Sequence, residues 1–261
     1  MDYNYLAELL FPNVTETPED MERKYPPRQL PEGAKVMRFA PSPTGYVHFG
    51  GLLPTTTGER LAHQSGGVFY LRIEDTDAQR EVPGAAEALI TTLAKYGIHF
   101  DEGAALDENG KICDKGAYGP YKQSLRGPIY HVFAKDLVRR GLAYPCFCTA
   151  EELSEVRDRQ EKDKITPGYY GKYAKCRELS YEEIEEKIKA GVPYVVRLKS
   201  PGKEDRRISF NDGIKGKIEM PENVTDIVLL KTDGIPTYHF AHAVDDHLMR
   251  TTHVVRGDEW L

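Results

Sequence analysis

The sequence predicts an α/β protein: a Rossmann-like, doubly wound parallel sheet with an α+β subdomain inserted between its halves. Three observations predict it. Strand-like runs and helical patterns alternate over residues 36–97 at the spacing of a βαβα unit. A corner rich in proline and glycine, Arg38–Gly51, joins the first strand to the first helix, where an open parallel sheet binds its ligands. From 125 to 225 the alternation gives way to charged helices and short strands of another kind.

Residues 1–35 read as an N-terminal extension, a short helix over Tyr3–Leu10 followed by a Pro- and charge-rich connector. Val36–Ala40 is the first buried strand. A helix is expected from about Leu52 to Gln64, stopped near Gly66 and Gly67, with Pro54 tolerated in its first turn. GVFYLRIE (67–74) is a second apolar, β-rich strand. The next helix carries Pro83 near its start and Gly97 past its end. The helix Leu125–Arg140 ends at Gly141. Thr149 with Glu152, and Ser180 with Glu183, stand at capping-box spacing before two charged helices. PYVVRLK, RISF and DIVLLK are short strands, and GIPTYHFAHAVDDHL with THVVRGDEWL forms a helix–strand pair returning to the sheet. The expected domains are the extension 1–35, a first catalytic half 36–124, an inserted subdomain 125–225, and the start of the second half, 226–261.

The chain has 261 residues, 29% charged and 40% apolar, ordinary for a soluble globular protein. No run of 18 apolar residues is present, which excludes a helical membrane span. The acidic N-terminus lacks the basic-then-apolar layout of a secretory signal. Four cysteines, three of them between 146 and 176, suit a reducing, cytoplasmic setting better than a disulfide framework. A net charge of −6 neither invites nor forbids nucleic acid, because local patches steer a polyanion.

Glycines at the corner let backbone approach a ligand, and the following helix offers free N–H groups and a positive dipole end. His48 would meet a phosphate held there, although the spacing is neither the dinucleotide fingerprint nor a P-loop. A plain turn with an exposed histidine stays open on these residues alone. RIEDTD places Glu74, Asp75 and Asp77 at the end of the second strand, with Arg38 in the first and Arg256 in the last. Two arginines and a glutamate suit a zwitterion with two carboxylates and one ammonium; structural ion pairing is the other reading. No Ser/His/Asp or Cys/His arrangement stands out.

RFAPSPTGYVHFGG, FYLRIEDTD, YKQS, TYHFAHAVDDHL and HVVRGDEWL, in that order, resemble the catalytic domain of the glutamyl-tRNA synthetases, class I aminoacyl-tRNA synthetases. The resemblance covers nearly all of 36–261. It implies ATP, with Mg2+, L-glutamate and tRNA(Glu) as substrates and partners, formation of glutamyl-adenylate, and transfer to the tRNA 3′ end by a monomer. By resemblance His48, Gly50 and Gly51 grip the phosphates, and Glu259 and Trp260 line the adenosine side. Arg38, Ala40, Ser42, Glu74, Tyr238, His242 and Arg256 form the amino-acid pocket. There Arg38 and Arg256 hold carboxylates, Glu74 and Ser42 the ammonium, and Tyr238 donates a hydroxyl. His242 stands where a small amide is expected. The family's lysine–serine–lysine loop and anticodon domain are expected beyond Trp260, so this polypeptide by itself is expected to bind glutamate but catalyse poorly.

Cys146, Cys148 and Cys176 suit tetrahedral zinc, as in some members of the family. The fourth ligand is sought among Tyr169, Tyr170, Tyr173 and Glu178, with Tyr170 preferred; three reduced thiols without metal is the alternative. The resemblance implies that the inserted subdomain receives the tRNA acceptor end, where Lys122, Arg126, Lys135, Arg139 and Arg140 could present one basic face. A solvated charged surface is the other reading, and the charges alone do not show RNA contact. Two rival functions remain: a glutamyl-queuosine tRNA synthetase paralogue, and a non-catalytic RNA- or zinc-binding module that kept the fold.

Overall fold

The computed structural model describes residues 2–45, 49–77 and 80–257. In chain order it contains helices α1 (Tyr3–Leu10) and α2 (Pro18–Lys24), strand β1 (Val36–Phe39), α3 (Phe49–Gln64), β2 (Val68–Leu71) and α4 (Ala85–Lys95). Then come β3 (Glu102–Leu106), β4 (Ile112–Lys115), α5 (Gly127–Arg139), β5 (Ala143–Cys146), α6 (Ala150–Lys162) and α7 (Tyr181–Lys189). Strands β6 (Val195–Leu198), β7 (Arg207–Asp212), β8 (Gly216–Pro221) and β9 (Val228–Leu230) precede the last described helix, α8 (Tyr238–Leu248). These form two compact units, Met1–Thr15 with His131–Thr237, and Glu16–Tyr130 with Tyr238–Leu261. The chain passes between the units after Thr15, Tyr130 and Thr237.

The unit containing 16–130 is built on a sheet of order β1-β2-β3-β4. Strands β1, β2 and β3 are parallel, with Val36 opposite Val68 and Tyr70 opposite Glu102. Helices α3 and α4 are the crossovers this requires. Gly67 is needed where β2 begins, because a Cβ there would lie 1.9 Å from the Lys35 carbonyl oxygen. Phe69, Tyr70, Leu71, Ile73 and Met37 fill the interior. The β3–β4 hairpin is a finding: sequence reading assigns no element to 98–124, where two short strands mix alanine, glycine and charge. Helix α8 buries Phe240, Ala241, Val244, Asp245 and Leu248, the spacing of one helical face.

Two expectations are corrected here. Helix α3 begins at Phe49, so Pro54 lies in its second turn, not its first. Its missing N–H leaves the Gly50 carbonyl without the usual helical bond, while the Thr55 hydroxyl donates to the neighbouring Gly51 carbonyl at 2.6 Å. Residues 251–257 form no strand. The Thr252 and His253 N–H groups both donate to the Val36 carbonyl, at 2.9 and 3.3 Å, so this segment meets β1 at one residue only.

The other unit carries an antiparallel sheet of order β5-β6-β9 and a separate β7–β8 ribbon. Both expected capping boxes form, at α6 with Thr149 and Glu152 and at α7 with Ser180 and Glu183. Asp2 caps α1, which buries Leu6, Ala7 and Leu10.

Candidate active site

Past its last strand residue, β2 keeps running beside the corner. The Arg72 N–H donates to the Phe39 carbonyl and the Glu74 N–H to the Pro41 carbonyl, both at 3.0 Å. This register brings Arg38 from β1 and Arg72 and Glu74 from the end of β2 to one edge of the sheet. Helix α8 supplies the opposing groups.

Arg72 is fully buried; its Nη2 donates to Glu74 Oε1 at 2.8 Å and its Nη1 to Asp246 Oδ1 at 2.7 Å. Arg38 grips the same Asp246 with two bonds, Nε to Oδ1 at 3.0 Å and Nη2 to Oδ2 at 3.1 Å. Its Nη2 also lies 2.9 Å from His242 Nδ1. The Tyr238 and His242 rings stack, with centroids 5.7 Å apart and planes 20° apart. The adjacent Asp245 takes Arg126 Nε at 2.6 Å, and Gln123 Nε2 and the Tyr130 hydroxyl at 2.8 Å each.

Burial resists charge on Asp246, but Arg72 and Arg38 outweigh it and bring its pKa down to about 2. For Glu74 burial wins over Arg72, and its carboxyl is raised. Burial lowers His242 to about 4 against the pull of Asp246, with Arg38 adding to the lowering. The imidazole is therefore neutral near pH 7. Burial raises the Tyr238 hydroxyl, with Glu74 adding to it.

Arg38, Glu74, Tyr238 and His242, expected together, do gather in one cluster. Ala40 is half-buried and Ser42 exposed on the corner; Gly50 and Gly51 begin α3. Arg256 is exposed, and its charge bears on both Tyr238 and His242. His48, Glu259 and Trp260 lie outside the described residues. The sequence reading missed Arg72, Asp245, Asp246 and Gln123. A signal was available: Asp245 stands on the apolar stripe of α8, and an acid on that stripe needs a buried cation.

Of the basic residues singled out in the sequence, one is turned inward and the others have acidic neighbours. Arg126 is wholly buried on Asp245. Lys122 lies 3.2 Å from Asp75, Lys135 pairs with Glu8, and Arg139 and Arg140 pair with Asp136.

In the other unit, the thiols of Cys146, Cys148 and Cys176 all lie within 4.8 Å of one another. The Cys148 and Cys176 sulfurs are 3.6 Å apart. Zn–S bonds of about 2.3 Å would put tetrahedral sulfurs about 3.8 Å apart, so the donor set fits such an ion. The tyrosine at the cluster is Tyr169, not Tyr170: its hydroxyl lies 3.2 Å from Cys148 Sγ, whereas the Tyr170 hydroxyl donates to the Thr166 carbonyl at 2.6 Å. Hydrogen bonds from Cys148 and Cys176 lower the Cys146 thiol far below its usual range.

No helix among the described residues is long and apolar enough to cross a membrane. Residues 35–261 match the family model for tRNA synthetases class I (E and Q), catalytic domain. Glutamate–tRNA ligases of Clostridium perfringens strain 13 and Clostridium beijerinckii are 58% and 56% identical over the whole chain, which covers 47% and 46% of theirs. A crystal structure of a glutamate tRNA ligase from Elizabethkingia meningosepticum, in complex with its amino acid, superposes with a TM-score of 0.75 at 40% identity. That match covers 87% of this chain and 44% of the other. The chain spans about half the length of the curated relatives it matches. With a family match over residues 35–261 and a parallel sheet of the expected kind, the chain belongs to the class I tRNA synthetases, in the family of E and Q catalytic domains.

Proposed function

We propose that this chain is the catalytic part of a glutamate–tRNA ligase, working on L-glutamate, ATP and tRNA(Glu). One observation carries the reading: Arg38, Glu74, Tyr238 and His242 share a polar cluster at the carboxyl ends of parallel strands. That is the ligand-binding edge of such a sheet.

The glutamate α-carboxylate attacks the α-phosphorus of ATP; an O–P bond forms, and the bond to pyrophosphate breaks. A hydroxyl of the terminal tRNA ribose then attacks the activated carbonyl and AMP leaves. Both steps depend on positioning and charge stabilisation, with no protein nucleophile. Arg38 and Arg256 bind the two carboxylates, and Tyr238 donates its hydroxyl. Glu74 gives Oε1 to Arg72, leaving Oε2, with Ser42, for the ammonium. A glutamine side chain would turn an amide toward an always-charged guanidinium, the mismatch that favours glutamate. His48, Gly50 and Gly51 hold the phosphates, whose charge Mg2+ offsets when bound; Glu259 and Trp260 hold the adenosine. Cys146, Cys148 and Cys176 would hold a structural zinc ion, with Tyr169 beside them. The enzyme works as a cytoplasmic monomer.

The test is ATP–pyrophosphate exchange with glutamate, using the complete product of the gene, with and without tRNA. Exchange that requires tRNA(Glu) supports the reading. Exchange without tRNA favours the queuosine-modifying paralogue, and no exchange under either condition favours a binding module.

A further inference from the structure

His242 and Asp246 are four residues apart on α8, so both side chains lie over one stretch of helix surface. Both are spent on Arg38. Asp246 receives Nε and Nη2 in the paired geometry that fixes a guanidinium plane. His242 Nδ1 accepts from Nη2 at 2.9 Å, which puts the ring proton on Nε2; that nitrogen lies 3.3 Å from Asp246 Oδ2. Nδ1 is thus spent on Arg38, while Nε2 lies near the Asp246 carboxylate at ion-pair distance. The Tyr238 ring stacked on His242 sets the plane of the imidazole. Asp246 is itself held from its other side by Arg72 Nη1 at 2.7 Å. Among the described residues these bonds use Nε and Nη2 of Arg38 and leave Nη1.

We propose that His242 and Asp246 are positioning residues that lock Arg38 into one orientation, presenting its Nη1 edge to a substrate carboxylate, and that neither touches the substrate. The proposal rests on the pocket reading above and changes one part of it: His242 moves from the substrate's ligands to those of Arg38. An arginine fixed before binding loses little further freedom when the carboxylate arrives. Arg72 fixes the Asp246 carboxylate from its other side.

The test measures glutamate affinity by calorimetry, and KM and kcat in the tRNA-dependent reaction, on the gene's complete product. His242→Ala is expected to raise Kd and KM for glutamate about tenfold with kcat little changed. His242→Gln recovers most of that loss, since its amide can accept from Nη2 and donate to Asp246. Asp246→Asn is expected to cost about 10- to 100-fold in Kd, with thermal melting showing that the protein stays folded. The deciding comparison places His242→Ala in an Arg38→Lys background. If His242 acts only through the Arg38 fork, the second change adds little. A full tenfold loss there means direct substrate contact and overturns the proposal while leaving the pocket intact. A His242→Ala protein with wild-type affinity overturns it as well. Unchanged affinity in Arg38→Lys alone instead removes the pocket reading.

Discussion

Replacing Asp245 by asparagine removes one negative charge and almost no volume from the buried face of α8. Asp245 has no exposed surface and accepts from Arg126, Gln123 and Tyr130. The two neutral partners can adapt, since a hydroxyl can turn and the Gln123 amide can flip; its Oε1 has no partner among the described residues. The Arg126 guanidinium cannot adapt. It is fully buried, and its other bonds, to the Pro120 and Tyr118 carbonyls, carry no counter-charge. Breaking a buried ion pair from one side costs about 3–5 kcal/mol, so Asp245→Asn belongs near 3 and Asp245→Ala, which strands three donors, near 5. Peptide-resolved hydrogen exchange reads this in α8 and α5, where opening free energies should fall together while the β5-β6-β9 sheet keeps its protection. An Asp245→Asn protein within 1 kcal/mol of wild type in α8 would refute the view that this carboxylate's charge is what the core requires.

Arg256→Ala should leave the protein folded and weaken glutamate binding at least about tenfold; calorimetry with unchanged affinity removes Arg256 from the pocket. Zinc should be present at about one ion per chain by elemental analysis, falling below about one-fifth in Cys148→Ser, and a metal-free wild type would end the zinc assignment. His242 makes stability depend on pH. Its pKa is about 4 in the fold and 6.5 in the ordinary state, so between these values the unfolded chain binds the extra proton. Its contribution is whole above about pH 6.5 and is lost as pH falls toward 4. Allowing for screening at its partly exposed edge, the loss is about 2 kcal/mol. Urea midpoints at pH 7.5 and 4.5 should show this extra sensitivity in wild type and not in His242→Gln; equal sensitivities would refute it.

The parallel β1–β2 unit, α4, α6, α7 and the gathering of Arg38 and Glu74 were legible because each rests on local chemistry. Glycine and proline punctuate the turns, capping boxes open the helices, and continuous apolar runs mark buried strands. The β3–β4 hairpin was not legible, since its residues lack the β-branched and alternating pattern a strand usually shows. The start of α3 was hidden by its glycines and by Pro54, which argue locally against helix. At the site, types and positions could be read but not pairings. Five basic residues within 122–140 look alike in sequence, and only the fold sends Arg126 inward to Asp245 while Arg139 and Arg140 stay on Asp136. The same holds for Tyr169 and Tyr170, adjacent and chemically identical, of which one turns to the thiols.

Arg72 precedes its acid, Asp246, by 174 residues, and Arg126 precedes Asp245 by 119. At a synthesis rate of roughly 5–20 residues per second, Arg72 is made about 10 to 35 s before the helix that neutralises it. Over that interval Arg72 has Glu74 but lacks Asp246, and Arg126, made later, lacks Asp245. The unit formed by 1–15 and 131–237 has all of its residues out before α8 is made. The buried charges of the unit bearing the site are therefore completed only when the two adjacent aspartates of α8 have been made.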